Sequence, residues 1–124
     1  KSHFVNMKVD KNISTQRANW SFGGKIAEGF DEHVLRSVPL YLEGHELICQ
    51  LSDFFCQPDS ICYELGSATG ELTRKLALHN SQKPNIRWIG IDKEQDMVEI
   101  AKKKNSDLPN VEFVADDILQ CDLQ

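Results

Sequence analysis

The sequence of 124 residues predicts an α/β fold, with a parallel sheet of about three strands behind two leading helices. Three observations carry this. Short apolar, β-favouring runs at 61–65, 86–91 and 111–114 alternate with segments of helical period. The loops between them are short, so each strand–helix–strand unit is a right-handed crossover between parallel neighbours. The first run, Ile61-Cys62-Tyr63-Glu64-Leu65, passes directly into Gly66 and Gly70 and then into a helical pattern. A buried strand, a tight turn and a helix N-terminus have this form. The order β-α-β-α-β describes the nucleotide-binding half of a Rossmann-like fold.

Along the chain, residues 1–19 are polar and without a sustained period, which predicts a flexible lead-in, and residues 20–124 form one domain. The first residue is not Met, as in a processed or trimmed product. Trp20 and Phe22 are the first apolar anchors, and Gly23-Gly24 is a loose hinge. A helix over 25–37 places Ile26, Phe30, Val34 and Leu35 near one stripe, and Pro39 interrupts it. A second helix over 41–55 carries Leu47, Ile48, Leu51, Phe54 and Phe55 on what reads as a wide core-facing side. After the turn at 57–60 and the first strand, Leu72, Leu76 and Ala77 give the next helix its apolar face, ending near His79-Asn80. The second strand ends at Asp92. A helix from Glu94 to about Lys104 points Met97, Val98 and Ala101 inward, and Lys102-Lys103-Lys104 forms a solvated, dipole-complementing end. The third strand runs into Ala115-Asp116-Asp117-Ile118.

Hydrophobic content of 40% and charged content of 27% fit a soluble globular domain. Fourteen basic against nineteen acidic residues give a net charge of −5. No basic footprint is present, and direct nucleic-acid binding by this segment is not expected. No apolar run approaches the ~20 residues of a membrane helix, and no signal peptide is visible. A cytoplasmic location follows, with Cys49, Cys56, Cys62 and Cys121 as reduced, mostly buried thiols. Asn12-Ile13-Ser14 is a chance sequon. His3, His33, His45 and His79 have no partner at metal-ligand spacing, so no metal site is expected. Exposed strand edges and helix faces in such a short sheet predict self-association, in the simplest case a homodimer.

The site is expected at the strand tips. Gly66 adopts backbone angles a Cβ forbids and lets a ligand approach the main chain. Glu64 sets a carboxylate beside the turn, and the following helix offers unpaired N–H groups. Asp92 stands 22 residues past Gly70, at the second strand's tip. Adjacent tips lie ~4.8 Å apart, so an acid there accepts from ribose hydroxyls, or else merely caps the next helix. Asp116 or Asp117, with the Ile118 backbone, is placed for an adenine edge, or else is solvated loop. A Gly-x-Gly-x-x-Gly dinucleotide motif is not formed.

The pattern acid-x-Gly-x-x-x-Gly from Glu64 to Gly70 resembles motif I of class I S-adenosylmethionine-dependent methyltransferases, with Ala68 replacing that motif's middle glycine. Within that class, Ile26-Ala27-Glu28-Gly29-Phe30, Arg36-Ser37-Val38-Pro39-Leu40-Tyr41 and residues 63–70 look like the carboxy-S-adenosylmethionine synthases, although that group's turn usually reads Asp-Leu-Gly-Cys-Ser-x-Gly. Those enzymes use S-adenosylmethionine and prephenate and serve wobble-uridine modification of transfer RNA. The resemblance implies that Tyr41, Gly66, Ser67, Ala68, Asp92, Lys93, Asp117 and Ile118 contact S-adenosyl-L-methionine, with Glu64 and Gly70 completing the motif. It also implies that the later strands, with a carboxylate-binding arginine, lie beyond Gln124 and that this segment alone is inactive. The expected function is S-adenosylmethionine binding within a methyltransferase-superfamily enzyme. The synthase itself and a noncatalytic α/β binding module are the alternatives.

Overall fold

The computed structural model describes residues 25–123. The lead-in, the Trp20 and Phe22 anchors, the Gly23-Gly24 hinge and the sequon lie outside the described residues.

Elements run in the order α1 (Lys25–Glu28), α2 (Phe30–Ser37), α3 (Tyr41–Phe55), β1 (Ile61–Leu65), α4 (Glu71–His79), β2 (Arg87–Asp92), α5 (Gln95–Lys104) and β3 (Val111–Ala115). The strands form one parallel sheet in the order β1-β2-β3, with Cys62 opposite Trp88 and Gly90 opposite Phe113. Both crossovers advance in the same direction across the sheet. Right-handedness therefore places α4 and α5 on the same face.

That face holds the core. Trp88 and Ile86 pack with Cys49 of α3 and with Leu76 and Ala77 of α4, while Phe113 packs with Val98 and Ala101 of α5. Met97, Val98 and Ala101 are fully buried, as the helical period predicts. The opposite face is only partly covered: Ile61, Leu65 and Val114 are exposed there, although Ile91 is buried.

Two expectations change. The single helix over 25–37 breaks at Gly29, whose φ of −97° and ψ of 6° separate α1 from α2. Glycine in a helix interior costs about 1 kcal/mol relative to Ala, which makes it the weak point of the segment. The stripe of Leu47, Ile48, Leu51, Phe54 and Phe55 does not face the core. All five are exposed, Phe54 and Phe55 by 76% and 78%, and α3 packs instead through His45, Cys49 and Ser52. Ser52 and Asn80 join that seam by a 2.9 Å hydrogen bond. Periodicity locates an apolar stripe but not the neighbour it meets, and here no described element covers it. Of the cysteines, all free, Cys49 is buried and the other three are half-buried. Burial, then a hydrogen bond with Cys62, pushes the Cys56 thiol up to about 11.

Candidate functional site at the strand tips

The chain leaves β1 at Leu65 and turns at once. Gly66 (φ 75°), Ala68 (φ 47°) and Gly70 (φ 76°) all occupy the left-handed region, which glycine enters freely and alanine does not. The two glycines serve different ends. A Cβ at Gly66 would meet nothing within 4 Å, so its open side is available for close approach. A Cβ at Gly70 would lie 2.5 Å from Phe113 Cζ, so this glycine lets the turn settle onto the sheet.

The amides of the turn bond inward. Gly66 and Ser67 both donate to the Ile91 carbonyl, at 2.8 and 3.0 Å. Ala68 N–H donates to Asp92 Oδ2 at 2.8 Å. The amides of these three residues are therefore all engaged within the protein. The bare edge at Gly66 leaves the backbone of the turn open to close approach. The Ser67 hydroxyl, 4% exposed, is buried without a hydrogen-bond partner, and a buried polar atom in that state is completed by a polar ligand or water.

Beside this turn lies a cavity of about 170 Å³. Of the residues expected from sequence, Tyr41, Glu64, Gly66, Ser67 and Ala68 line it together. Drug-sized ligands fill roughly 300–1,000 Å³, so this cavity has room for only one end of such a molecule. Phe30, His45, Thr69, Glu71 and Leu72 also line it. Sequence reading missed these five as site residues: Phe30 and His45 lie on helices remote from the turn in the chain, and Thr69, Glu71 and Leu72 carry no motif signal of their own. His45 packs against Tyr41 with ring centroids 4.2 Å apart and ring planes tilted by 53°, and its Nδ1 lies 3.0 Å from Lys75 Nζ. Burial and then the Lys75 charge hold the imidazole below its ordinary value, favouring the neutral ring. Burial, then the carboxylates of Asp31, Glu71 and Glu64, raise the Tyr41 hydroxyl.

Glu64 sits at the end of β1 and accepts a hydrogen bond from the Thr73 hydroxyl. Burial raises its carboxyl to about 7 against the opposing effect of Thr73, and the Asp92 charge adds to the rise.

The remaining expected residues stand along the neighbouring tips. Asp92 accepts from Ala68 and, through Oδ1, from Glu94 N–H at 2.9 Å. It is thus a link to the turn and a local turn-former, whereas the helix cap weighed as its alternative is not formed: Glu94 is the N-cap of α5 and no side chain caps it. A carboxylate has about four lone-pair sites, so two remain for a ligand. Lys93 is exposed beside it. Asp116 N–H donates to the Asp92 carbonyl at 3.0 Å. Asp117 accepts from Leu119 N–H at 3.0 Å, and both Asp117 and Ile118 are exposed. The acids of the three strand tips therefore fall along one edge of the sheet, with the cavity at its β1 end.

Known proteins are similar to this chain. Curated relatives include the carboxy-S-adenosyl-L-methionine synthase of Staphylococcus epidermidis, 33% identical over 100 residues and covering 80% of this chain. That of Actinobacillus succinogenes is 38% identical over 104 residues and covers 81%. The chain spans about 42% of the length of either relative. Among solved structures, the N-methyltransferase NodS of Bradyrhizobium japonicum, determined with S-adenosyl-L-homocysteine, is similar with a TM-score of 0.57 at 27% identity. The match covers 72% of this chain and 42% of that one. A Methanococcus maripaludis protein described as an S-adenosyl-L-methionine-dependent methyltransferase matches 90% of this chain and 49% of its own, with a TM-score of 0.64. At 19% identity it bears on the fold alone. The chain belongs to the methyltransferase domain family, whose model matches its residues 59–124.

Proposed function

We propose that this chain forms the S-adenosyl-L-methionine-binding part of a class I methyltransferase-superfamily enzyme that transfers a one-carbon group. The observation that carries the reading is the open edge at Gly66, flanked by the unpartnered Ser67 hydroxyl and the Asp92 carboxylate. The two free lone-pair sites of Asp92 would accept from ribose hydroxyls, and Lys93, Asp117 and Ile118 would border the base one strand further on. The backbone at Gly66, Ser67 and Ala68 would pass under the sugar–sulfur link, with Gly70 fixing the turn's shape. Glu64 and Tyr41 would surround the amino-acid end. The bound cofactor supplies a methyl group made electrophilic by its sulfonium, so the protein's part is to hold it in line with an acceptor.

Calorimetric titration with S-adenosylmethionine, S-adenosylhomocysteine and NAD tests this. The two sulfur-bearing ligands are expected to bind, NAD is not, and Asp92→Ala is expected to abolish binding. A folded protein that takes NAD alone, or none of the three, refutes the proposal. The last outcome favours a noncatalytic α/β module.

A second reading, carboxy-S-adenosylmethionine synthase with prephenate as co-substrate, is favoured by one specific feature. The Arg36–Tyr41 stretch brings its tyrosine into the cavity beside Glu64, and the relatives quoted above carry that name. Mass spectrometry of a reaction with S-adenosylmethionine and prephenate decides it, through the presence or absence of the carboxylated cofactor. We further propose a cytoplasmic homodimer, supported by the exposed apolar stripe of α3; sedimentation of a monomer at high concentration would count against it.

A further inference from the structure

We infer that Asp31 is a positioning residue that fixes the cofactor turn from outside the glycine motif; the affinity part of this inference rests on the function proposed above. Asp31 lies in the first turn of α2, next to Phe30, which lines the cavity. Its Oδ1 accepts the hydroxyl of Thr69, a residue 2% exposed in the middle of the turn. Its Oδ2 accepts from Lys104 Nζ at 2.5 Å, and the same ammonium reaches Glu71 at 2.8 Å. One carboxylate thus ties α2 to the turn, and through Lys104 to the first residue of α4 and the last of α5.

The chemistry explains why this contact fixes position. Thr69 sits between Ala68 and Gly70, both in the left-handed region. A hydroxyl held by an ionised acceptor makes a strong, charge-assisted hydrogen bond, and its loss frees the middle of that turn. Lys104 would be lowered by burial alone, but its bonds to Asp31 and Glu71 outweigh this and hold it above its ordinary value. Isolated exposed ion pairs contribute little, whereas one cation shared by two carboxylates forms a network. Asp92 grips the turn at Ala68 from the sheet side, and Asp31 grips the next residue from the helix side.

The test compares Asp31→Ala, Asp31→Asn, Thr69→Val and the Asp31→Ala/Thr69→Val double variant in the full chain. S-adenosylhomocysteine affinity and amide hydrogen exchange at residues 66–70 are both read. Expected are a roughly tenfold loss of affinity and faster exchange at the turn in Asp31→Ala and Thr69→Val, with no further loss in the double variant. Asp31→Asn, which keeps an acceptor for Thr69 but loses the charge and the bond to Lys104, should restore part of both. Turn amides as protected in Asp31→Ala as in the parent, or full additivity in the double variant, would overturn the inference. If the parent protein binds no S-adenosylhomocysteine, the proposed function fails, and the exchange measurements alone decide the role of Asp31.

Discussion

The Asp92 carboxylate holds the Ala68 backbone N–H at 2.8 Å across a separation of 24 residues, so the tip of β2 supports the turn that follows β1. The same side chain takes Glu94 N–H at 2.9 Å. Asp92→Ala should cost about 1–2 kcal/mol of stability, because two partly buried donors lose an acceptor that water replaces incompletely. Asp92→Asn should fall between, since one amide oxygen can serve only part of the set. Urea unfolding measures both. Equal stability of Asp92→Ala and the parent would mean that the link carries no weight.

Ala68 stands at φ 47°, where an L side chain costs roughly 1–2 kcal/mol. Ala68→Gly removes that strain but adds about 0.5–1 kcal/mol of unfolded-state entropy. The expected net change in thermal unfolding is a gain of up to about 1.5 kcal/mol. Ala68→Val, β-branched at a positive φ, should lose stability. A clear destabilisation by glycine would mean that the alanine methyl makes a contact that outweighs the strain.

Much of this was legible in the sequence, for reasons particular residues make plain. The bounds of β1 and the inward set Met97, Val98 and Ala101 follow from local period, which is a property of the residues themselves. The glycine turn was legible because Gly66 and Gly70 do something no other residue does. The exposed side of α3 was not, because Leu51 and Phe55 show that a stripe exists but not what covers it. Nor was the hold on the turn: Asp31 lies 38 residues from Thr69 and 73 from Lys104, and no short-range pattern joins them. Gly90 escaped notice as an ordinary strand glycine.

Gly90 is where Phe113 enters the sheet surface. A Cβ there would lie 2.6 Å from Phe113 Cδ1 and 2.8 Å from Ser67 Cβ. Gly90→Ala should therefore destabilise by about 1–3 kcal/mol through overpacking. Adding Phe113→Leu should recover part of that loss, giving a non-additive double-mutant cycle. Strict additivity would place the strain elsewhere.

The raised Glu64 carboxyl gives a pH dependence whose sign can be worked out. Burial lifts it to about 7, with Thr73 opposing and Asp92 adding, while in the unfolded chain it titrates near its ordinary value of about 4.3. Between these limits the folded state binds more protons than the unfolded. Glu64 therefore makes stability fall as pH rises from about 4.5 to about 7, and contributes no further change above that. Glu64→Gln should flatten this decline in denaturation curves. A ligand bearing an ammonium or sulfonium beside Glu64 favours the ionised form, so its binding should release a proton near pH 6. S-adenosylmethionine affinity should then rise toward pH 7 and level off above it. Titration in buffers of different ionisation enthalpy reads the released proton directly. Binding that is independent of pH from 5.5 to 7.5, with no buffer-dependent heat, would place the cationic end of the ligand away from Glu64.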